Sequence, residues 1–180
     1  ADIVFTKPLD GERAAAGQDM QHVHEQLNDM LDNNKDVTRR LRALWALHVT
    51  GGADEKLLAK LLTDRDEYIR AWAIQLEAED GEALKQTHAR FVTMAETDSS
   101  QLVRLYLASA LQRLPLEDRW EIAEKLVQHE EDQDDHNLPL MLWYGIEPLV
   151  PADKGRALKL ASQSKIPLIR QHIARRATAK

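Results

Sequence analysis

Cysteine is absent from the 180 residues. That excludes disulfides, thiolate metal sites, thiol nucleophiles and the attachment motif of c-type haem within this chain. Glycine is scarce, at seven residues, which argues against a β-rich fold or a glycine-rich phosphate loop. Long apolar runs are also missing. The longest candidate, Leu138 to Ile146, contains Pro139 and Gly145 and is half the roughly 18 residues of a membrane span. A net charge of −6 and a pI near 5.6 disfavour non-specific binding to nucleic acid. No Gly-x-Ser-x-Gly and no His-Glu-x-x-His string occurs, so familiar hydrolytic chemistry has no motif here. Acidic neighbours such as Asp64 and Asp66 carry no catalytic signal in a chain with 30 Asp and Glu. Nothing in the sequence around them forces the raised pKa that a general acid needs.

What the chain does contain is one segment written five times. Slots at Arg40, Arg70, Arg104, Asn137 and Arg170 recur every 30 to 34 residues. Ala43, Ala73, Leu107, Leu140 and Ile173 follow three residues later. Ala46, Leu76, Ala110, Trp143 and Arg176 follow three further on. This period predicts an all-α fold, a right-handed α-solenoid of about five helical pairs. Residues 1–18 read as a lead-in connector and 19–180 as one repeat domain, with pairs at about 19–51, 52–81, 82–114, 115–150 and 151–180. Because residue 1 is Ala, the chain reads as a piece of a longer protein.

Local signals mark the helix ends. Gly51-Gly52 and Asp80-Gly81 terminate the second helices of the first two pairs, since glycine accepts the left-handed conformation at a C-terminus. Asp64 with Glu67, and Asp98 with Gln101, predict N-terminal capping boxes. Pro115 and Pro167 suit a first helical turn, where a missing N–H costs nothing. Each helix is too short to be stable alone and must bury its apolar stripe against neighbours.

The strings Asp66-x-x-Ile69-Arg70-x-x-Ala73 and Val103-Arg104-x-x-Leu107 resemble the second helix of HEAT repeats. A narrower resemblance lies in Leu41 to His48, Arg70 to Gln75, Val103 to Pro115 and Leu138 to Pro148. These look like the helical segment of the haem-binding, membrane-bound dehydrogenase-like (PVC-type cytochrome) proteins of planctomycetes and verrucomicrobia. The resemblance implies a non-catalytic scaffold or protein-interaction module, between a sugar-dehydrogenase-like propeller and a cytochrome c domain, exported to the periplasm. It implies c-type haem only in the parent protein, and no cofactor in this domain. Partners would be proteins or flanking domains of the same chain, without membrane insertion. Two alternatives stand beside it: a HEAT-repeat nucleic-acid binder resembling DNA glycosylases, and a free-standing cytoplasmic adaptor.

No residue qualifies as catalytic, cofactor-binding or metal-binding. The slot arginines read as a structural ladder, pairing with Asp36, Asp66 or a neighbouring helix end. Trp45, His48, Trp72, Gln75, Tyr106, Arg113 and Trp143 form the candidate interaction face. The aromatics among them stand at different offsets from their slots, two, five or six residues on, so they need not share one face and read first as core packing. His22 and His24 are two apart and point to different sides of a helix. The run from Glu130 to Asp135, between His129 and His136, lacks the spacing of a calcium loop and reads as a solvated connection.

Overall fold

The computed structural model describes residues 20–79 and 81–179, with side chains from 87 onward in the second stretch. The expected connector at 1–18 and the stop at Asp80 lie outside them. The described fold is all-α: α1 (Met20–Asn33), α2 (Val37–Thr50), α3 (Glu55–Leu61), α4 (Glu67–Glu77), α5 (Gly81–Thr97), α6 (Gln101–Ala110), α7 (Leu116–Leu126), α8 (Leu138–Ile146), the short α9 (Leu149–Ala152), α10 (Lys154–Gln163) and α11 (Pro167–Thr178). Short 3₁₀ turns at Leu111–Arg113 and Glu130–Asp134 lie on either side of α7.

Successive helices pack in pairs, α1 with α2, α3 with α4, α5 with α6, α7 with α8 and α10 with α11, compatible with a helical repeat. The second helices also form a row of their own. Helix α2 packs on α4, α4 on α6, α6 on α8 and α8 on α11. One apolar cluster runs the length of this row, from Leu31 and Leu44 through Ile74, Leu107 and Leu142 to Ile173. Gly145 sets how closely α8 approaches the turn that follows α6. A methyl group there would lie 2.6 Å from Leu111 Cβ, a distance no packed pair tolerates.

Polar chemistry joins successive pairs at one position. Arg40 donates to both carboxylate oxygens of Asp64, at 3.1 and 2.6 Å. Arg70 does the same to Asp98 at 2.8 and 2.9 Å. Arg104 does so to Asp132 at 2.7 and 2.6 Å. Each acceptor lies 24 or 28 residues after its arginine, in the turn of the next pair. The turns are themselves linked. Asp64 takes Arg40 on its carboxylate and Arg70 on its carbonyl, at 2.8 Å. Asp98 likewise takes Arg70 on its carboxylate and Arg104 on its carbonyl, at 2.9 Å.

This chain of contacts corrects the capping expectations. Asp64 and Asp98 do not cap helices: besides arginine, each accepts the N–H two residues on, of Asp66 and Ser100 at 2.9 Å, which lies before the first helical residue. The caps are the residues two further on. Asp66 accepts from Tyr68 N–H and Ser100 from Val103 N–H, as Asp36 accepts from Thr38 N–H. Asp36 and Asp66 are therefore caps rather than rungs. Gly51, with φ of 77°, ends α2 as expected, whereas Gly81 opens α5.

The fourth slot is also corrected. Asp135 accepts from the N–H groups of Asn137 and Leu138 at 2.8 and 2.7 Å, so it stands where Asp36, Asp66 and Ser100 stand. Four residues beyond those caps come Arg40, Arg70 and Arg104; four beyond Asp135 comes Pro139. The buried set Leu138, Pro139, Leu142 and Trp143 matches Val103, Arg104, Leu107 and Ala108 in spacing. Asn137 is thus an exposed residue just before α8. The arginine run stops here because proline occupies its place. The fifth pair is held instead by Lys165 N–H on Val127 C=O at 2.8 Å, Arg156 on Glu124 at 3.0 Å and Arg176 near Glu147 at 3.6 Å.

The rungs are electrostatically distinct from surface pairs. Arg40 and Arg104 are buried, and Asp132 is fully enclosed. Burial pushes the Asp64 carboxyl upward, but hydrogen bonds from Arg40 and the Asp66 N–H, with the charges of Arg40 and Arg65, outweigh it and hold the pKa below the usual value. Hydrogen bonding to Asp98 and to Asp132 raises the Arg70 and Arg104 guanidinium pKa values against the opposing effect of burial. The outer helices carry a second, weaker set of pairs, Lys60 to Asp32 and Lys125 to Glu96, both at 2.8 Å and worth little in water.

Arg104→Ala leaves a buried Asp132 carboxylate uncompensated and should cost about 3–5 kcal/mol, read as the drop in unfolding free energy on a urea titration. Lys60→Ala should cost at most about 1 kcal/mol on the same titration. The Asp64 contribution is fully present above the unfolded carboxyl pKa near 4 and is lost as pH falls through the lower folded value. Asp64→Asn should therefore flatten the acid limb of the stability profile below about pH 4, measured by denaturant unfolding at a series of pH values.

Candidate interaction face

Between the rungs and the outer edge, the second helices present a strip of larger side chains. Three of the expected aromatics meet there. Trp45 and Trp72 contact edge to face, with centroids 4.9 Å apart at 68°. Trp72 and Tyr106 follow at 6.5 Å and 54°. The differing slot offsets do not separate them after all. Trp72 and Tyr106 stand two residues past their slots and Trp45 five past, a difference of three, which is one helical turn and returns to the same face. Each ring is only partly buried, so the run is neither wholly core nor wholly surface. The Trp45 indole N–H is enclosed and has no hydrogen-bond acceptor among the described residues.

The polar candidates form cross-helix pairs on neighbouring turns. His48 Nε2 lies 3.2 Å from a Glu79 carboxylate oxygen. The Gln75 amide oxygen, oriented toward Arg113, accepts from both terminal guanidinium nitrogens at 3.0 Å. Gln112 approaches the Met141 sulfur at 3.1 Å. These links run from one second helix to the next, in the direction of the buried rungs but nearer solvent.

Trp143 departs from the expected group. It is buried, at 8% exposure, and its ring packs 5.0 Å from His172 of the last helix. Its register explains this. Trp143 matches Ala108 and Ile74, which face inward, while the outward position on α8 is held by Tyr144, 52% exposed. Reading α8 from Asn137 rather than Asp135 hides that two-residue shift.

The remaining ligand candidates are absorbed by structure. His24 hydrogen-bonds Thr50 Oγ1 at 2.9 Å, and His22 pairs with Gln26 at 2.9 Å. His129 reaches Ala95 C=O at 2.8 Å and Glu131 at 3.1 Å. The acidic run is not simply solvated: Asp132 ends a rung and Asp135 accepts from the N–H groups of Asn137 and Leu138 at the start of α8. Among the described residues, no group of three or more His, Asp or Glu side chains is placed to hold a metal ion, and no helix is long and apolar enough to cross a membrane.

Arg119 is a functional-looking residue that spacing alone missed. Its guanidinium donates to the carbonyls of Leu114, Gln112 and Gly145 at 2.9, 3.1 and 3.2 Å. It meets no carboxylate among the described residues, and burial pushes its pKa down. It fastens the end of α6 to α8, a clamp rather than a binding site. No family model, curated protein or solved structure matches this chain.

Trp72 is the only member of the strip that touches an aromatic on each side. Two such contacts are worth about 0.5–1.5 kcal/mol each. Trp72→Ala should lower unfolding free energy by at least about 1–3 kcal/mol and abolish near-ultraviolet circular dichroism from the Trp45–Trp72 pair.

Proposed function

We propose that this chain is a non-catalytic scaffold: a HEAT-like, right-handed α-solenoid whose second-helix strip is a surface for protein partners. The observation that carries this reading is the repeated rung, Arg40 with Asp64, Arg70 with Asp98 and Arg104 with Asp132. Such rungs tie each pair to its neighbour and to little else, which is the mechanical principle of a repeat array. A rigid row of this kind acts by holding what is attached to it at fixed separation. The strip of Trp45, Trp72 and Tyr106, edged by His48 with Glu79 and Gln75 with Arg113, combines ring surface with polar edges, a composition suited to protein contact.

We further propose that this scaffold serves a larger exported redox protein, spacing an oxidising domain from a haem-bearing one. That reading rests on the resemblance of the second-helix strings to the helical segment of the haem-binding dehydrogenase-like proteins. The nucleic-acid alternative draws less support. Arg40, Arg70 and Arg104 direct their guanidinium groups at carboxylates of the same chain and are not offered to phosphate.

Small-angle scattering of the purified chain tests the scaffold. A curved rod with a maximum dimension well above that of a sphere of equal mass is the expected profile, and a spherical one would sink the reading. The product of the complete gene, made in a host that exports protein and matures haem, should show a reducible c-type Soret and α band. Its absence would remove the redox assignment while leaving the scaffold standing.

A further inference from the structure

Charge is sorted between the two rows of helices. Helix α1 carries Glu25, Asp29 and Asp32 and no Lys or Arg, and α7 carries Glu117, Asp118, Glu121 and Glu124 against Arg119 and Lys125. The second helices reverse this. Helix α2 has Arg39, Arg40 and Arg42, and α6 has Arg104; neither has an Asp or Glu, and α8 has no charged residue. Helix α4 does carry acids, but they are engaged or enclosed: Glu67 accepts from Ser100 Oγ, and Glu77 is buried. Glu79, just past α4, lies against His48. A chain of net charge −6 thus places its acid mainly on the first helices and the turns, away from the face that bears the aromatic strip.

Two guanidinium groups edge that strip. Arg42 stands two residues past its slot, as Trp72 and Tyr106 stand past theirs, and one turn before Trp45, so it shares their face. It is exposed and forms no ion pair with any described residue. Arg113 is exposed too, and both its terminal nitrogens share the neutral Gln75 oxygen, an acceptor that leaves the charge uncancelled. Trp45, Trp72 and Tyr106, each partly exposed, fill the space between. All five residues lie on α2, α4, α6 and the turn after it, so the first three pairs are enough to build the site.

We propose that the strip binds an extended acidic segment of a partner protein, with apolar side chains at every third position. This deepens the scaffold reading and rests on it. Charge sets the sign of the occupant. Its carboxylates meet the forks of Arg42 and Arg113, which suit bidentate pairing, while the acidic first-helix row turns such a segment away from the opposite side. Spacing sets its backbone. Packed helices lie about 8–10 Å apart, and a polyproline II chain advances about 9 Å in each three-residue turn. Every third side chain therefore reaches a new helix of the row. Aromatic-lined grooves take such preformed extended chains at low entropic cost.

The probe is a synthetic peptide of about 12 residues repeating Asp-Leu-Glu, long enough to cross about four helices at that spacing. Binding is read on the tryptophan emission of the whole chain at low salt. Trp120 and Trp143 are buried, so Trp45 and Trp72 report the occupant. The expected result is a saturable change in emission, with affinity about 2–5-fold weaker on Arg42→Gln or on Arg113→Gln and restored in part by Arg42→Lys. Tyr106→Leu should weaken binding as well, in a chain whose circular dichroism is unchanged. The absence of a saturable change overturns the proposal, and so does binding indifferent to both arginine substitutions together. Tighter binding of the counterpart repeating Lys-Leu-Lys overturns it by reversing the sign. Tighter binding of an oligothymidylate of equal length, lost on the same substitutions, would make the strip a single-stranded nucleic-acid platform. A concentration-dependent dimer in sedimentation that Arg42→Gln and Arg113→Gln weaken would make the occupant a second copy. Scattering judges the scaffold separately: a curved rod that leaves the peptide unbound keeps the scaffold and loses this inference, and a spherical profile removes the scaffold whatever the peptide does.

Discussion

The structure depends on a guanidinium held between two turns. In each completed rung the arginine is anchored by a carbonyl of its own chain segment and closed by a carboxylate of the next pair. A buried ion pair of this kind adds little net stability, because desolvation offsets most of its attraction. What it imposes is register. An arginine displaced by one residue would leave its carboxylate buried and alone, and that penalty is large. The apolar cluster drives association without direction; the rungs decide which turn of one helix lies beside which turn of the next.

The end of the arginine run shows the same constraint by its absence. Proline at 139 cannot donate, and the following turn offers Ser164 rather than an aspartate. Both halves of a fourth rung are missing together. Around that gap other contacts take over. Gly145 lets α8 lie against Leu111, Trp143 turns inward to His172, Arg119 ties three carbonyls, and Arg156 lies over Trp120 at 4.7 Å while reaching Glu124. Directional ion pairs give way to ring and carbonyl contacts.

The aromatic strip lies on the same row of helices for a related reason. Positions one turn apart on a second helix share a face, and the rungs hold neighbouring helices in one register. Rings at such positions on successive helices therefore fall within contact distance. That is how Trp45, Trp72 and Tyr106 become a continuous run, and how His48 meets Glu79 and Gln75 meets Arg113.

The recurrence of Arg40, Arg70, Arg104 and Arg170 with apolar residues behind them was enough to predict paired helices and an all-α chain, because the 3.6-residue period of burial is a local property. Helix ends at Gly51 and before Pro167 were legible for the same reason. The partners of the arginines were not. Asp64 and Asp98 carry the local signature of a cap, but they bind the N–H groups of the turn ahead of the helix and the arginine of the preceding pair, and capping falls to Asp66 and Ser100. The two-residue shift at α8, the burial of Trp143 and the clamp made by Arg119 were equally beyond local pattern. The sequence by itself determined the periodicity and hence the helices. Tertiary structure decided which charge meets which, because that choice is made between segments 24 to 28 residues apart, where no local pattern carries the information.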